Sequence, residues 1–293
     1  MRRGRAIVYA TALEILAEPL ALLVLLASLA LTTLAPAFHY HQFGEPSRMA
    51  RDAGISALLL GGAVIAYVGT LRTFRRELES GTAQSALAHS VSRTAFFLWK
   101  ACGCLVAYVV FAATVSLVSL TVVRGAEIGG ALAATTGDIA RLWGPSLAVA
   151  LGACILPVVA AALLNRFKRF RFALTSNVLA LVVAALGVAY RFDGALASRL
   201  LPAFALAAAP SLVVMSASAA FALRFSSNTA STLTAIATAF VLPALGNYCL
   251  SDALADGGSV PWAYLAVAFM AVVPAVALFL LIGIHFINER DVQ

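Results

Sequence analysis

Charge is scarce in this chain of 293 residues: Asp, Glu, Lys and Arg make up only 11% of it, where an ordinary soluble domain carries roughly 25%. With 62% apolar residues and a mean hydropathy of +0.96, the chain cannot clothe a globule in polar side chains, which excludes a soluble fold. Acid is scarcer than base, 13 residues against 20, for a net charge of +7. Cysteine is rare and supplies no framework. Cys102, Cys104, Cys154 and Cys249 all fall in apolar runs, where a small polarisable side chain packs as a hydrophobe.

Catalytic signatures are missing as well. Without a G-x-x-x-x-G-K-[ST], the chain lacks the phosphate cradle of an ATPase. H-E-x-x-H, G-x-S-x-G and paired-acid motifs are absent, and GAEIGG is no dinucleotide fingerprint because no strand and helix unit surrounds it. His39 and His41 could meet one metal ion, yet two solvated histidines beside Tyr40 read first as interfacial residues. Neither an enzyme nor a bound cofactor is expected in this chain.

Long apolar runs are what the chain has in abundance. Eight stretches approach the roughly 20 residues needed to cross hydrocarbon, near 19–38, 54–73, 101–123, 144–164, 172–190, 201–223, 229–250 and 262–287. Backbone groups in hydrocarbon must be satisfied within the segment, so the expected fold is an all-α polytopic transmembrane bundle of about eight spans. It forms a single membrane domain over 1–293, joined by short turns such as HYHQFGEPSRMARD, RGAEIGGALAATTGDIARLW, NRFKRFRF and RFDGALASR. The basic head MRRGR precedes no small-residue cleavage site, and the segment reads as retained.

Placing the amino terminus in the cytoplasm puts 14 of the 20 basic residues on that side: Arg2, Arg3, Arg5, Arg72, Arg75, Arg76, Arg93, Lys100, Arg166, Lys168, Arg169, Arg171, Arg224 and Arg290. The six left outside (Arg48, Arg51, Arg124, Arg141, Arg191, Arg199) are balanced by seven acids, among them Glu45, Asp52 and Asp193. An even number of crossings with both termini cytoplasmic follows, and the bilayer accounts for the basic excess without any nucleic acid. Every charge lies near a span end. Carriers driven by protons or sodium usually hold an ionisable group near mid-membrane, so self-powered transport is disfavoured. Pro157, Pro202, Pro210, Pro243 and Pro274 fall inside spans, where proline serves packing as well as kinks.

One polar insert interrupts this pattern, RRELESGTAQSALAHSVSRTAFFLWK from Arg75 to Lys100. Gly81 breaks the helix and Thr82 can cap a new short one. Ala83, Ala86, Leu87 and Val91 recur at helical spacing with Gln84, Ser85, His89 and Ser92 opposite, which predicts a short amphipathic helix at the membrane face. Phe96, Trp99 and Lys100 then have the makeup of an interfacial anchor where the chain re-enters the bilayer.

The order Glu79, Gly81, Thr82, Ser92, Arg93, Phe96 and Lys100 resembles the cytoplasmic loop between the second and third spans of ABC transporter permeases of the type-2 exporter class. It departs at Ser90, where that family commonly has Pro, and at Trp99, where it has Gly. LEILAEPLALLVLL is similar to the family's amino-terminal interfacial helix, here 1–18, and LLNRFKRFRFALTS, LRFSSNTASTLTAIATAFVL and GIHFINERDVQ resemble its later segments in the right order. Eight spans depart from the six of the commonest members.

The resemblance implies an exporter permease in the bacterial inner (cytoplasmic) membrane. It would work with a second permease copy or a paralogue, surrounded by membrane lipids, and with two copies of an ABC ATPase subunit that bind ATP and Mg. Segment 75–100 would be the coupling element seated on the ATPase, with Glu79, Gly81, Thr82, Ser92 and Arg93 carrying coupling and Gly81 providing the bend. Composition alone also fits a membrane scaffold or assembly factor without transport, whose charged loop only fixes topology, or an intramembrane enzyme of unrecognised type. A copurifying ATPase separates these readings.

Overall fold

Leu, Ala and Val dominate the long runs, and every regular element among the described residues is a helix. The computed structural model describes residues 2–35, 46–79, 92–136, 151–168, 171–190, 193–255 and 260–289. The helices are α1 (Arg2–Leu16), α2 (Pro19–Leu34), α3 (Pro46–Val64), α4 (Thr70–Glu79), α5 (Arg93–Thr136), α6 (Leu156–Lys168), α7 (Phe172–Tyr190), α8 (Gly194–Arg224), α9 (Ser227–Ala255) and α10 (Trp262–Glu289). A π-helical turn, Ile65–Gly69, joins α3 to α4, and another, Leu151–Ile155, leads into α6.

Five stretches are long and apolar enough to cross a bilayer: Ser47–Glu77, Arg93–Ile128, Phe172–Tyr190, Gly194–Arg224 and Trp262–Glu289. The bent pair formed by α1 and α2 makes a sixth when counted as one. The molecule is thus compatible with a multi-pass membrane protein. The bend between α1 and α2 is 64° and has a local cause: Pro19, at the start of α2, carries no N–H to continue α1, and Glu18 before it is extended (φ −72°, ψ 135°).

Several helices run past the apolar stretches that announce them. GEPSRMARD reads as a turn, yet α3 begins at Pro46, where a first-turn proline loses no hydrogen bond. The RGAEIGG segment also reads as a turn, and α5 continues through it to Thr136. In RFDGALASR the helix starts at Gly194 because the Asp193 carboxylate accepts from the N–H groups of Ala195 (3.0 Å) and Leu196 (3.2 Å). The length of apolar sequence marks the hydrocarbon; hydrogen bonding and caps set where the helix stops.

α8 is the hub. In its most apolar window 78% of residues are buried, against 11% in α10, which leaves α10 at the periphery. Its alanines and serines let neighbours approach, and the hydroxyls of Ser216 and Ser218 bond back to Val213 O (2.9 Å) and Val214 O (2.7 Å). One part of the core gathers Leu29, Leu58, Val115 and Phe204, and a second gathers Ile15, Phe74, Phe97 and Leu223. α1 lies against the start of α5 at a backbone crossing. A Cβ on Gly103 would stand 2.5 Å from Thr11 Cβ and 2.8 Å from Val8 O.

Away from the end where α4 stops and α5 starts, Arg124 on α5 pairs with Asp193 at 3.0 Å. The Leu196 N–H, the Ala195 N–H and the Arg124 guanidinium hold the Asp193 carboxyl below its ordinary value of 3.8. That tether is complete above the ordinary value and is lost only as pH falls through the depressed one.

Gly103→Ala should destabilise the chain by about 1–3 kcal/mol through overpacking, read as a lower unfolding temperature in detergent. Gly152→Ala is the control, since nothing stands within 4 Å of its added Cβ.

Candidate functional site

α4 ends at Glu79 and α5 begins at Arg93, so these two helices flank the segment singled out by the sequence. Residues 80–91 lie outside the described residues, and with them Gly81, Thr82 and the expected short helix; His39 and His41 do too. Ser92 caps α5, its Oγ accepting from the Ala95 N–H at 3.2 Å. Arg93 Nη1 donates to Asn288 O in the last turn of α10 at 3.2 Å. Glu79 is exposed and stands 3.8 Å from Arg75.

Lys100 joins the two flanks. Its side chain is 1% exposed, and Nζ meets Glu77 Oε2 at 2.5 Å and donates to Thr73 O at 2.8 Å. The Phe74 ring lies 5.0 Å below the ammonium and the Phe96 ring 5.9 Å. An ammonium deprived of water costs several kcal/mol unless it is paired and hydrogen-bonded, and these contacts supply both. The anchor reading of Phe96, Trp99 and Lys100 therefore meets a different placement. Phe96 and Lys100 point into the protein, and only Trp99 keeps an exposed edge, while its indole occupies the space a side chain at Gly4 would need.

The same face collects helix ends whose last carbonyls have no partner within the helix. Arg75 Nη2 donates to Phe225 O, the C-cap of α8. Asn177 Nδ2, early in α7, donates to Leu16 O at the end of α1 at 2.8 Å. Arg72 stands 3.7 Å from Glu18 and Arg76 stands 3.5 Å from Glu14, tying α4 to the α1–α2 bend. Cations at helix C-termini also complement the macrodipole. Every basic residue in these contacts is one that the charge bias places on the cytoplasmic side. Glu18 and Glu77 are the site residues that sequence reasoning missed, whereas Glu14 sits in the amino-terminal helix singled out by its resemblance. The available signal was acids on the more basic side of the chain.

Among the described residues no three of His, Cys, Asp and Glu come together as a metal site. The arrangement clasps two helices at their base and bonds them to the ends of α1, α8 and α10.

Glu77→Gln should cost on the order of 3 kcal/mol in unfolding free energy, because it strands a buried ammonium. Lys100→Met should cost less, since Glu77 is 26% exposed and reaches water, and the double variant should recover most of the loss. Equal losses in both single variants would refute the clasp. Compared with protein-family models, with curated proteins and with solved structures, the chain finds no match, so what this face does follows from its residues and geometry.

Proposed function

We propose that the chain is the permease subunit of an ATP-driven ABC-type transporter of the type-2 exporter class, coupled through segment 75–100 to separate ATPase subunits that bind ATP and Mg. One observation carries this reading. Both flanks of the segment are bonded to each other by Lys100 and Glu77, and to the ends of other helices by Arg75, Arg76 and Arg93. Force applied at 80–91 is thereby delivered to α1, α8 and α10 as well as to α4 and α5. A floppy loop could not transmit it.

The chain path supports eight crossings with both described ends at the basic face. α5 leaves that face and reaches Asp193 through Arg124, whereas α7 starts back at the basic face with Asn177. The chain through α6 must return between them. α9 starts beside Tyr67, whose hydroxyl donates to Ser231 O at 3.3 Å, and α10 ends beside Arg93, which supports α9 leading away from the basic face and α10 returning to it. The positive-inside bias supports placing the basic face in the cytoplasm, and the resemblance to the exporter family supports a bacterial inner membrane. Two copies, or one copy and a paralogue, would enclose the export path.

Purification of the tagged chain from its native membrane should bring down a nucleotide-hydrolysing subunit. Gly81→Val and Arg93→Ala should each detach or uncouple that subunit while membrane insertion stays normal. Unchanged ATPase association and transport in both variants would reject the assignment.

A further inference from the structure

A groove of about 790 Å³ opens at the basic face between α4, the start of α9 and the α1–α2 bend. Arg72 and Arg76 stand on one wall, one helical turn apart on α4, and Ser227 and Ser231 stand on the other; Val68 and Leu71 line the interior. Arg75 adds a third guanidinium, against the carboxylates of Glu18 and Glu79. Arg72 and Arg76 are 59% and 73% exposed, and their carboxylate partners stand at 3.7 and 3.5 Å, well beyond the roughly 2.7–2.9 Å of a charge-assisted hydrogen bond. Guanidinium groups held this loosely keep N–H donors for another anion.

The opposite wall points the same way, because α9 begins at Ser227 and, although Ser226 caps the Thr229 N–H and its carbonyl accepts from Ala230, the earlier amides of the first turn have no acceptor within the helix. The groove's aliphatic lining, the half-buried Val68 and the edge of the buried Leu71, belongs to Ser47–Glu77, one of the stretches able to cross a bilayer. A site that is basic and hydroxylic at its mouth and aliphatic within suits an amphiphile better than a free ion.

We propose that this groove binds the phosphate-bearing headgroup of an anionic membrane lipid, with Arg72 and Arg76 on the phosphate, Ser227 and Ser231 hydrogen-bonding to the headgroup, and the first acyl carbons against Val68 and Leu71. The volume is within the range of small-molecule sites, roughly 300–1,000 Å³. An acidic protein surface is the competing occupant, but it would arrive from the water side and leave the aliphatic interior unused. The proposal needs only residence in a membrane and stands or falls apart from ATP-driven transport.

The test uses the purified full-length chain in detergent, with lipid binding read by native mass spectrometry and by the shift in unfolding temperature. Phosphatidylglycerol should bind and stabilise more than phosphatidylcholine. The variant R72Q/R76Q should weaken phosphatidylglycerol binding roughly thirtyfold, equivalent to about 1 kcal/mol for each arginine. E14Q/E18Q, which releases both arginines from their carboxylates, should tighten it, and this gain separates binding from a folding defect. R166Q, basic but outside the groove, should bind as the parent does. Equal binding by R72Q/R76Q and the parent would overturn the proposal. Equal stabilisation by inorganic phosphate would overturn the lipid as ligand, and loss of a copurifying protein from R72Q/R76Q with lipid binding intact would overturn it in favour of protein docking.

Discussion

An ammonium that cannot reach water must have an anion, and most of the architecture of the basic face follows from that requirement at Lys100. The residue lies about two turns into α5, too deep to be hydrated, and its partner Glu77 lies in the last turn of α4. Meeting the requirement fixes α4 and α5 side by side at the base of segment 80–91. Phe74 and Phe97 then pack with ring centroids 5.6 Å apart, and Phe97 fills the space that a side chain at Gly283 of α10 would occupy. The ion pair contributes little net stability by comparison with an apolar contact of the same size. Its consequence is geometric: one arrangement of the two helices satisfies both charges, and displacement of either strands them.

The second organising constraint is the carbonyl left open at each helix end. Where such an end is buried, a donor has to come from elsewhere in the chain, and here the donors are Arg75 and Asn177, while Arg93 bonds the exposed end of α10. These bonds link residues far apart in sequence, which makes the face a joint between distant helices. The opposite end has the pairing of Arg124 with Glu127, three residues on, beside its contact to Asp193, which is more distant in sequence. The basic excess on one side thus serves topology and, through the same side chains, closes helix ends.

Much of this was legible in the sequence, and the illegible part has a physical reason. Apolar length located the long helices, and the sorting of charges separated the two faces: Arg72, Arg75, Arg76 and Arg93 share a face, and Arg124 finds Asp193 at the other. Lys100 was misleading because a lysine beside Trp99 near a span end has the composition of a residue reaching for headgroups. Whether it turns inward depends on Glu77 across an intervening loop, and no local pattern encodes that. The extensions of α3 and α5 escaped notice because hydropathy reports the hydrocarbon and not the hydrogen bonds beyond it.

A stiff face requires that any change of shape be taken up elsewhere, and the middle of the bundle has the means. Pro210 has no N–H for the Leu206 carbonyl, so α8 is weakened at its hub position. Tyr108 donates to Ala208 O at 2.8 Å just before that break, bracing it from α5. Across from it, a Cβ on Gly62 would stand 3.0 Å from the Ser211 hydroxyl, and the π-helical turn Ile65–Gly69 follows within the same span. Such turns carry one residue more per hydrogen-bonded loop than an α-helix and tend to mark functional positions. A bundle clasped at one end and interrupted in two adjoining helices is least stiff at the interruptions. Rigid-body movement of the basic face would therefore emerge as a change of angle at Pro210 and Ile65–Gly69, while the charged contacts at the face stay closed.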